Sequence, residues 1–222
     1  MNRRAMMKPA MMKHSARSRP ARKTVAARLL VPLLLALPLA LGACQQREQP
    51  PLAGTSIGGA FALVDKAGKT VRWADFAGQW RIVYFGYTFC PDACPTDVGI
   101  FMKGFNQFAK AHPQEAARVQ PIFISVDPER DSPARVGEFS AAFGPRLLGL
   151  TGTTAQVDAA AKAFAVYHTK GAVTPGGGYL VDHSRATYLF DPQGKPIALL
   201  PTDLGDRDGP AAVAAELAKW VR

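Results

Sequence analysis

Two cysteines, Cys90 and Cys94, stand with three residues between them in the run Cys90-Pro91-Asp92-Ala93-Cys94. That spacing lets both sulfurs face one side, where they can chelate an ion or close into a disulfide. They follow a continuous apolar run, Arg81-Ile82-Val83-Tyr84-Phe85-Gly86, and precede a helical stretch from about Thr96 to Ala111. Pro95 suits the first turn of that helix, where its missing N–H is no loss. A thiol at a helix start has its thiolate stabilised by unpaired N–H groups and the macrodipole, which lowers its pKa.

Three chemistries fit the pair. A structural disulfide is the common fate of paired cysteines outside the cytoplasm, but so short a loop is a poor staple, because entropic stabilisation grows with loop length. A thiol–disulfide exchanger is the second, although such enzymes usually carry two residues between their cysteines. The third is a metal site, which needs at least one further ligand from elsewhere in the chain.

The elements that must position these sulfurs read as a mixed α/β chain. Phe61–Val64 and Thr70–Trp73 flank a turn and predict an opening β-hairpin. Arg81–Gly86 and Val119–Val126 read as strands buried on both faces. Helices are expected over Pro133–Phe143, Thr154–Tyr167 and Pro210–Arg222. Leu147–Leu150 reads as a short strand, and two closing strands, Ala186–Phe190 and Ile197–Leu200, flank a turn at Asp191-Pro192-Gln193-Gly194. Strands alternating with helices, then a hairpin and a closing helix, fit a thioredoxin-like three-layer α/β fold with an N-terminal β-hairpin, spanning 55–222.

That fold gives the histidines unequal addresses. His14 lies in the leader, His112 precedes Pro113 at a helix end, and His168 is expected to end the Ala-rich helix. His183, in Val181-Asp182-His183-Ser184, lies after Gly176-Gly177-Gly178 and directly ahead of a strand. In a thioredoxin-like fold the loop before that strand faces the active-site cysteines and carries a cis-proline. No proline occurs here between Pro175 and Pro192, so a histidine beside the thiols points toward metal binding. The acids Asp127, Glu129 and Asp131 end a buried strand and are expected to cap or position the next helix.

Charge is distributed unevenly. Residues 1–43 hold nine basic side chains and no acid, leaving 18 of the 27 Lys and Arg to face all 17 Asp and Glu in 44–222. The near-neutral remainder excludes a phosphate-binding surface, so no nucleic-acid partner is expected. The basic stretch runs into an apolar segment, Leu29–Ala43, interrupted by Pro32 and Pro38 and shorter than the ~20 residues of a spanning helix. It reads as a signal peptide over 1–43. Leu41-Gly42-Ala43-Cys44 resembles the lipobox of bacterial lipoproteins, which makes Cys44 the expected lipidation site. Residues 44–54, polar and Pro-containing, read as a flexible tether to the periplasmic or outer side of a cell membrane.

Three segments together resemble the Sco/SenC family: Gly86-Tyr87-Thr88-Phe89-Cys90-Pro91-Asp92-Ala93-Cys94-Pro95-Thr96, Ser125-Val126-Asp127-Pro128-Glu129-Arg130-Asp131, and Val181-Asp182-His183-Ser184. The resemblance implies a thioredoxin-like copper protein whose metal ligands would be Cys90, Cys94 and His183. It implies a role in assembling the copper centre of cytochrome c oxidase, as a metallochaperone or as a thiol reductant with Cys90 and Cys94 as its redox pair. The implied partner is a copper-receiving oxidase subunit or another periplasmic copper protein. Many members keep a transmembrane helix, whereas this leader ends in a lipobox.

The donor set agrees with copper. Two thiolates suit Cu(I), and an added imidazole makes a site that also holds Cu(II). The same three ligands could hold zinc with an open position, but copper leads the Irving–Williams order. Asp182 is a candidate to orient His183 from behind, or to serve as a cap.

Overall fold

The structure, a computed structural model, describes residues 48–173 and 178–222. The signal segment, the lipobox with Cys44, and residues 174–177 lie outside the described residues. Its core is a five-stranded sheet reached through a small hairpin, β1 (Ala62–Val64) and β2 (Thr70–Arg72). Next come β3 (Trp80–Gly86), helix α1 (Ala93–Ala111), β4 (Val119–Ser125), α2 (Pro133–Ala141), β5 (Leu148–Leu150) and α3 (Thr154–Ala163). A second hairpin, β6 (His168–Val173) and β7 (Tyr179–His183), precedes β8 (Thr187–Phe190), β9 (Pro196–Leu199) and α4 (Gly205–Trp220).

The sheet order is β5-β4-β3-β8-β9, with β3, β4 and β5 parallel and β8 and β9 antiparallel. All seven residues of β3 are buried, as its unbroken apolar sequence requires of a strand covered on both faces. One face carries Tyr84 and Phe123, which meet Phe101 of α1 and Phe139 of α2. The other carries Phe85 and Phe190, packed on Phe164, with Trp73 beside Phe61 closing that layer. The thioredoxin-like three-layer arrangement is therefore present.

Helix α4 lies along α1 through reciprocal close approaches. A β-carbon at Gly104 would come within 2.6 Å of Val213, and one at Gly209 within 2.6 Å of Ile100. The bare backbone at both places lets the axes draw together and fixes α1, the helix that carries Cys94.

Several boundaries depart from the sequence expectation. Helix α1 begins at Ala93 rather than near Thr96, which puts Cys94 inside its first turn. Helix α3 stops at Ala163 rather than Tyr167; Ala165 takes φ 53° and turns the chain so that Phe164 and Val166 both enter the core. An Ala-rich run offers no stop signal, so burial alone sets that end. Helix α4 starts at Gly205, with Asp206 and Asp208 in its first turn, favourably placed for the helix dipole.

The β6–β7 hairpin begins at His168, just past the end of the expected Ala-rich helix, and has no counterpart in the sequence expectation. The part of the expected tether from Leu52 onward is laid on the domain: Leu52 donates its N–H to the Ile197 carbonyl at 3.0 Å and packs on the core. Among the described residues no helix is long and apolar enough to cross a membrane.

Candidate metal centre

Strand β3 delivers the chain to the site at Gly86, whose carbonyl accepts from Val126 N–H at 2.8 Å. A β-carbon on Gly86 would lie 3.1 Å from Cys94 Sγ and 2.8 Å from the Tyr84 ring, so the thiol nests against bare backbone. Cys94 is fully buried, while Cys90, in the loop ahead of α1, is half-exposed. The Cys94 N–H donates to Cys90 Sγ at 3.3 Å, the interaction expected of a thiolate facing a helix start. Both cysteines are free thiols.

The third donor arrives from the second hairpin. His183 ends β7, and its Nε2 stands 3.1 Å from Cys94 Sγ. Its Nδ1 lies 2.9 Å from the Ser184 carbonyl. A carbonyl only accepts, so Nδ1 carries the proton and Nε2 presents its lone pair to the sulfurs. Tyr84 and Tyr87 close edge-on around the imidazole, with ring centroids 6.2 and 5.9 Å away. The donor atoms of Cys90, Cys94 and His183 all lie within 4.8 Å of one another. One ion about 2.0–2.3 Å from each donor spans such a triangle after slight closure. Asp182 does not orient the imidazole; the Ser184 carbonyl does so.

The two thiols are electrostatically unlike. Hydrogen bonding from the Cys94 thiol and from backbone N–H groups holds the Cys90 thiol far below its ordinary pKa, against a smaller opposing effect of burial. Cys94 is pushed up, because it shares its proton with Cys90 and is buried. The pair therefore holds one proton, on Cys94, and one negative charge, on Cys90.

Beneath Cys94 lies a buried acid that the sequence reading passed over. Asp97, 1 % exposed, accepts from the Tyr84 hydroxyl at 3.0 Å and from Arg185 at 2.7 and 2.9 Å. Burial and the Asp97 carboxylate both push the Tyr84 hydroxyl up, so it stays a hydrogen-bond donor. The readable signal was an acid three residues after Cys94 on the inward stripe of a helix.

The acids expected to cap α2 do other work. The cap is Ser132, which accepts from Arg135 N–H at 3.3 Å. Asp131 is fully buried and binds Thr88 N–H, the Thr88 hydroxyl and the Ser125 hydroxyl at 2.9, 2.6 and 2.6 Å. Burial raises its carboxyl pKa, while those three donors pull it back. Asp127 pairs with Arg130 and accepts from the Tyr179 hydroxyl at 2.8 Å. Glu129 pairs with Lys170 at 2.6 Å.

Among the described residues, the remaining histidines are engaged elsewhere. His112 caps the end of α1 and stacks on Phe108, and His168, in β6, reaches Asp158 at 3.3 Å. His14 lies outside the described residues.

The SCO1/SenC family profile matches residues 49–222. The mitochondrial SCO2 homologue of Mus musculus is 42 % identical over 151 residues, covering 68 % of this chain and 58 % of its own length. The chain thus spans rather more than half the length of that relative. Bradyrhizobium japonicum ScoI, solved with copper bound, is 35 % identical with a TM-score of 0.65 over 74 % of this chain and 99 % of that one. BsSco, a member of the Sco family of cytochrome c oxidase assembly proteins in which a disulfide switch was identified, is 26 % identical with a TM-score of 0.55, over 80 % of this chain and 100 % of that one.

Proposed function

This chain belongs to the SCO1/SenC family, and on that premise we propose that it binds a single copper ion through Cys90, Cys94 and His183 and passes it to an acceptor protein. The observation that carries this reading is the meeting of Cys94 Sγ and His183 Nε2 at 3.1 Å, across 89 residues of sequence. Two soft sulfurs and one borderline nitrogen suit Cu(I), and the imidazole extends the site to Cu(II). The fixed tautomer supports ligation through Nε2. Cys90, the more exposed sulfur, is where an acceptor thiol would reach the ion.

The acceptor we propose is a copper-receiving subunit of cytochrome c oxidase or another copper protein outside the cytoplasm. Cys44 would hold the protein at the membrane as a lipid-modified residue, following the Leu41-Gly42-Ala43-Cys44 run. A Cys44→Ala variant should then leave the membrane fraction; its retention there would remove the lipid anchor from the account.

Anaerobic copper titration of the reduced protein tests the site. About one ion per chain should bind with three ligands, Cys90→Ala and Cys94→Ala should abolish stoichiometric binding, and His183→Ala should weaken it. Tight binding indifferent to His183→Ala would contradict the assignment.

A second reading, a thiol–disulfide reductase acting on the acceptor's cysteines, is favoured by the asymmetry of the pair. Cys90 is a half-exposed thiolate and Cys94 a buried, protonated neighbour, the division of labour that thiol exchange uses. Reducing one acceptor disulfide would leave Cys90 and Cys94 joined as a disulfide, with two electrons and the Cys94 proton passing to the acceptor, whose second sulfur takes its proton from solvent. Copper binding and disulfide formation use the same sulfurs and exclude each other. Oxidase assembly that needs both cysteines but survives His183→Ala would favour this reading over the first.

A further inference from the structure

Besides the Arg185–Asp97 pair, the two halves of the site are joined through one loop, 126–131, between β4 and α2. Asp131 faces the cysteine half: its buried carboxylate binds both the N–H and the hydroxyl of Thr88, two residues before Cys90. Arg130 faces the histidine half. Its Nη1 donates to the Tyr179 carbonyl at 2.9 Å, and its guanidinium lies 3.5 Å from the centre of the Tyr179 ring, on the strand that ends in His183. Asp127 holds that arginine by its Nε and also accepts from the Tyr179 hydroxyl. The same guanidinium lies 4.9 Å from the ring of Phe89, the residue before Cys90.

We propose, resting on the copper reading above, that Arg130 and Asp131 are positioning residues that together set the separation between the cysteine loop and His183. Neighbouring residues of one short loop thus hold the two ligand-bearing segments, and the loop is itself anchored by Ser125 at the end of β4. An end-cap for α2 would need none of these contacts. Arginine is required on the histidine side because its planar fork hydrogen-bonds a carbonyl and a carboxylate while stacking on a ring. Lysine reproduces the charge alone.

Metal-free protein gives the first test, independent of whether copper is the cargo. Proton NMR should show a through-space contact between the Cys94 β-protons and the His183 ring in the wild type. Arg130→Gln should lose it, and Arg130→Lys should restore it only weakly. Copper titration gives the second test. Arg130→Gln should weaken Cu(II) binding about tenfold and Cu(I) binding less than about twofold, with no further loss when added to His183→Ala.

Asp131→Asn should instead weaken Cu(I) binding; if that variant does not fold, Thr88→Val removes one of the same hydrogen bonds on the cysteine side and should act in the same direction. A contact preserved in Arg130→Gln, or an equal loss of Cu(II) affinity with and without His183, would overturn the assignment for Arg130. Cu(I) affinity unchanged in both Asp131→Asn and Thr88→Val would overturn it for Asp131. A wild type that binds no copper yet loses the NMR contact on Arg130→Gln would sink the copper reading and leave the positioning role standing.

Discussion

The cysteine end and the histidine end of the site are built from different material. Cys94 rests on β3 and α1, where all of β3 is buried and Gly86, Tyr84 and Asp97 pack behind the sulfur. His183 rides on a two-stranded hairpin outside the main sheet, in which Val181 is the one buried position of the two strands. The hairpin is held by polar ties instead: Arg130 to the Tyr179 carbonyl, Lys170 to Glu129, and Ser184 N–H to the Tyr167 carbonyl at 2.9 Å. Such a division would suit the proposed transfer of copper, in which an ion is gripped and then released. The sulfurs form a fixed platform, and the imidazole is set on an element that opens at lower free energy.

Hydrogen exchange sharpens this contrast most strongly. Amides of β3 and β4 should exchange about a thousandfold more slowly than those of β7, a gap of roughly 4 kcal/mol in opening free energy. Equal protection would mean that the hairpin belongs to the cooperative core.

Ligand substitution should show the same inequality. Cys94→Ala should lower Cu(I) affinity by at least about a hundredfold, and His183→Ala by about tenfold, because thiolates dominate the binding of a soft ion. The comparison breaks if the two losses are equal when measured by competition with a Cu(I) chelator.

Gly86→Ala tests the platform alone. A methyl 2.8 Å from Tyr84 and 3.1 Å from both Cys94 Sγ and Phe123 must displace something, at a cost of about 1–3 kcal/mol in chemical denaturation. The equivalent change at Gly171 of the hairpin, where the nearest atom would be the Leu180 carbonyl oxygen at 3.0 Å, should cost less.

The smallest effect is one of pH. Cys90 has a lowered pKa, so its thiolate persists as pH falls and is lost only when pH drops through the folded value. Its contribution to stability is present above the ordinary thiol pKa and fades in acid. Cys94, whose pKa is raised, keeps its proton at neutral pH. Alkylation at about pH 6, below the ordinary thiol pKa of about 8.5, should therefore modify Cys90 and spare Cys94. Copper binding near neutrality should release about one proton from the thiol pair rather than two.

Much of this was legible in the chain. Apolar continuity marked β3 and β4, and the turn residues Asp191–Gly194 marked the β8–β9 hairpin, where Asp191 accepts from the N–H of Gln193 and of Lys195. The convergence of Cys90, Cys94 and His183 followed once the fold had been recognised. The β6–β7 hairpin escaped notice because its strands are mostly exposed and lack the alternation that a half-buried sheet imposes. Asp131 resembled a helix-capping residue and Arg130 carried no signal of its own, since the residues they grip, Thr88 and Tyr179, lie 43 and 49 positions away. Only the folded backbone brings those partners together.

X-ray absorption at the copper edge tests the central claim most directly, on the loaded wild type and on His183→Ala. The account predicts two sulfur neighbours and one nitrogen neighbour in the wild type, with the nitrogen lost in the variant and both sulfurs retained. A spectrum unchanged by His183→Ala, or one with fewer than two sulfurs in the wild type, would contradict it.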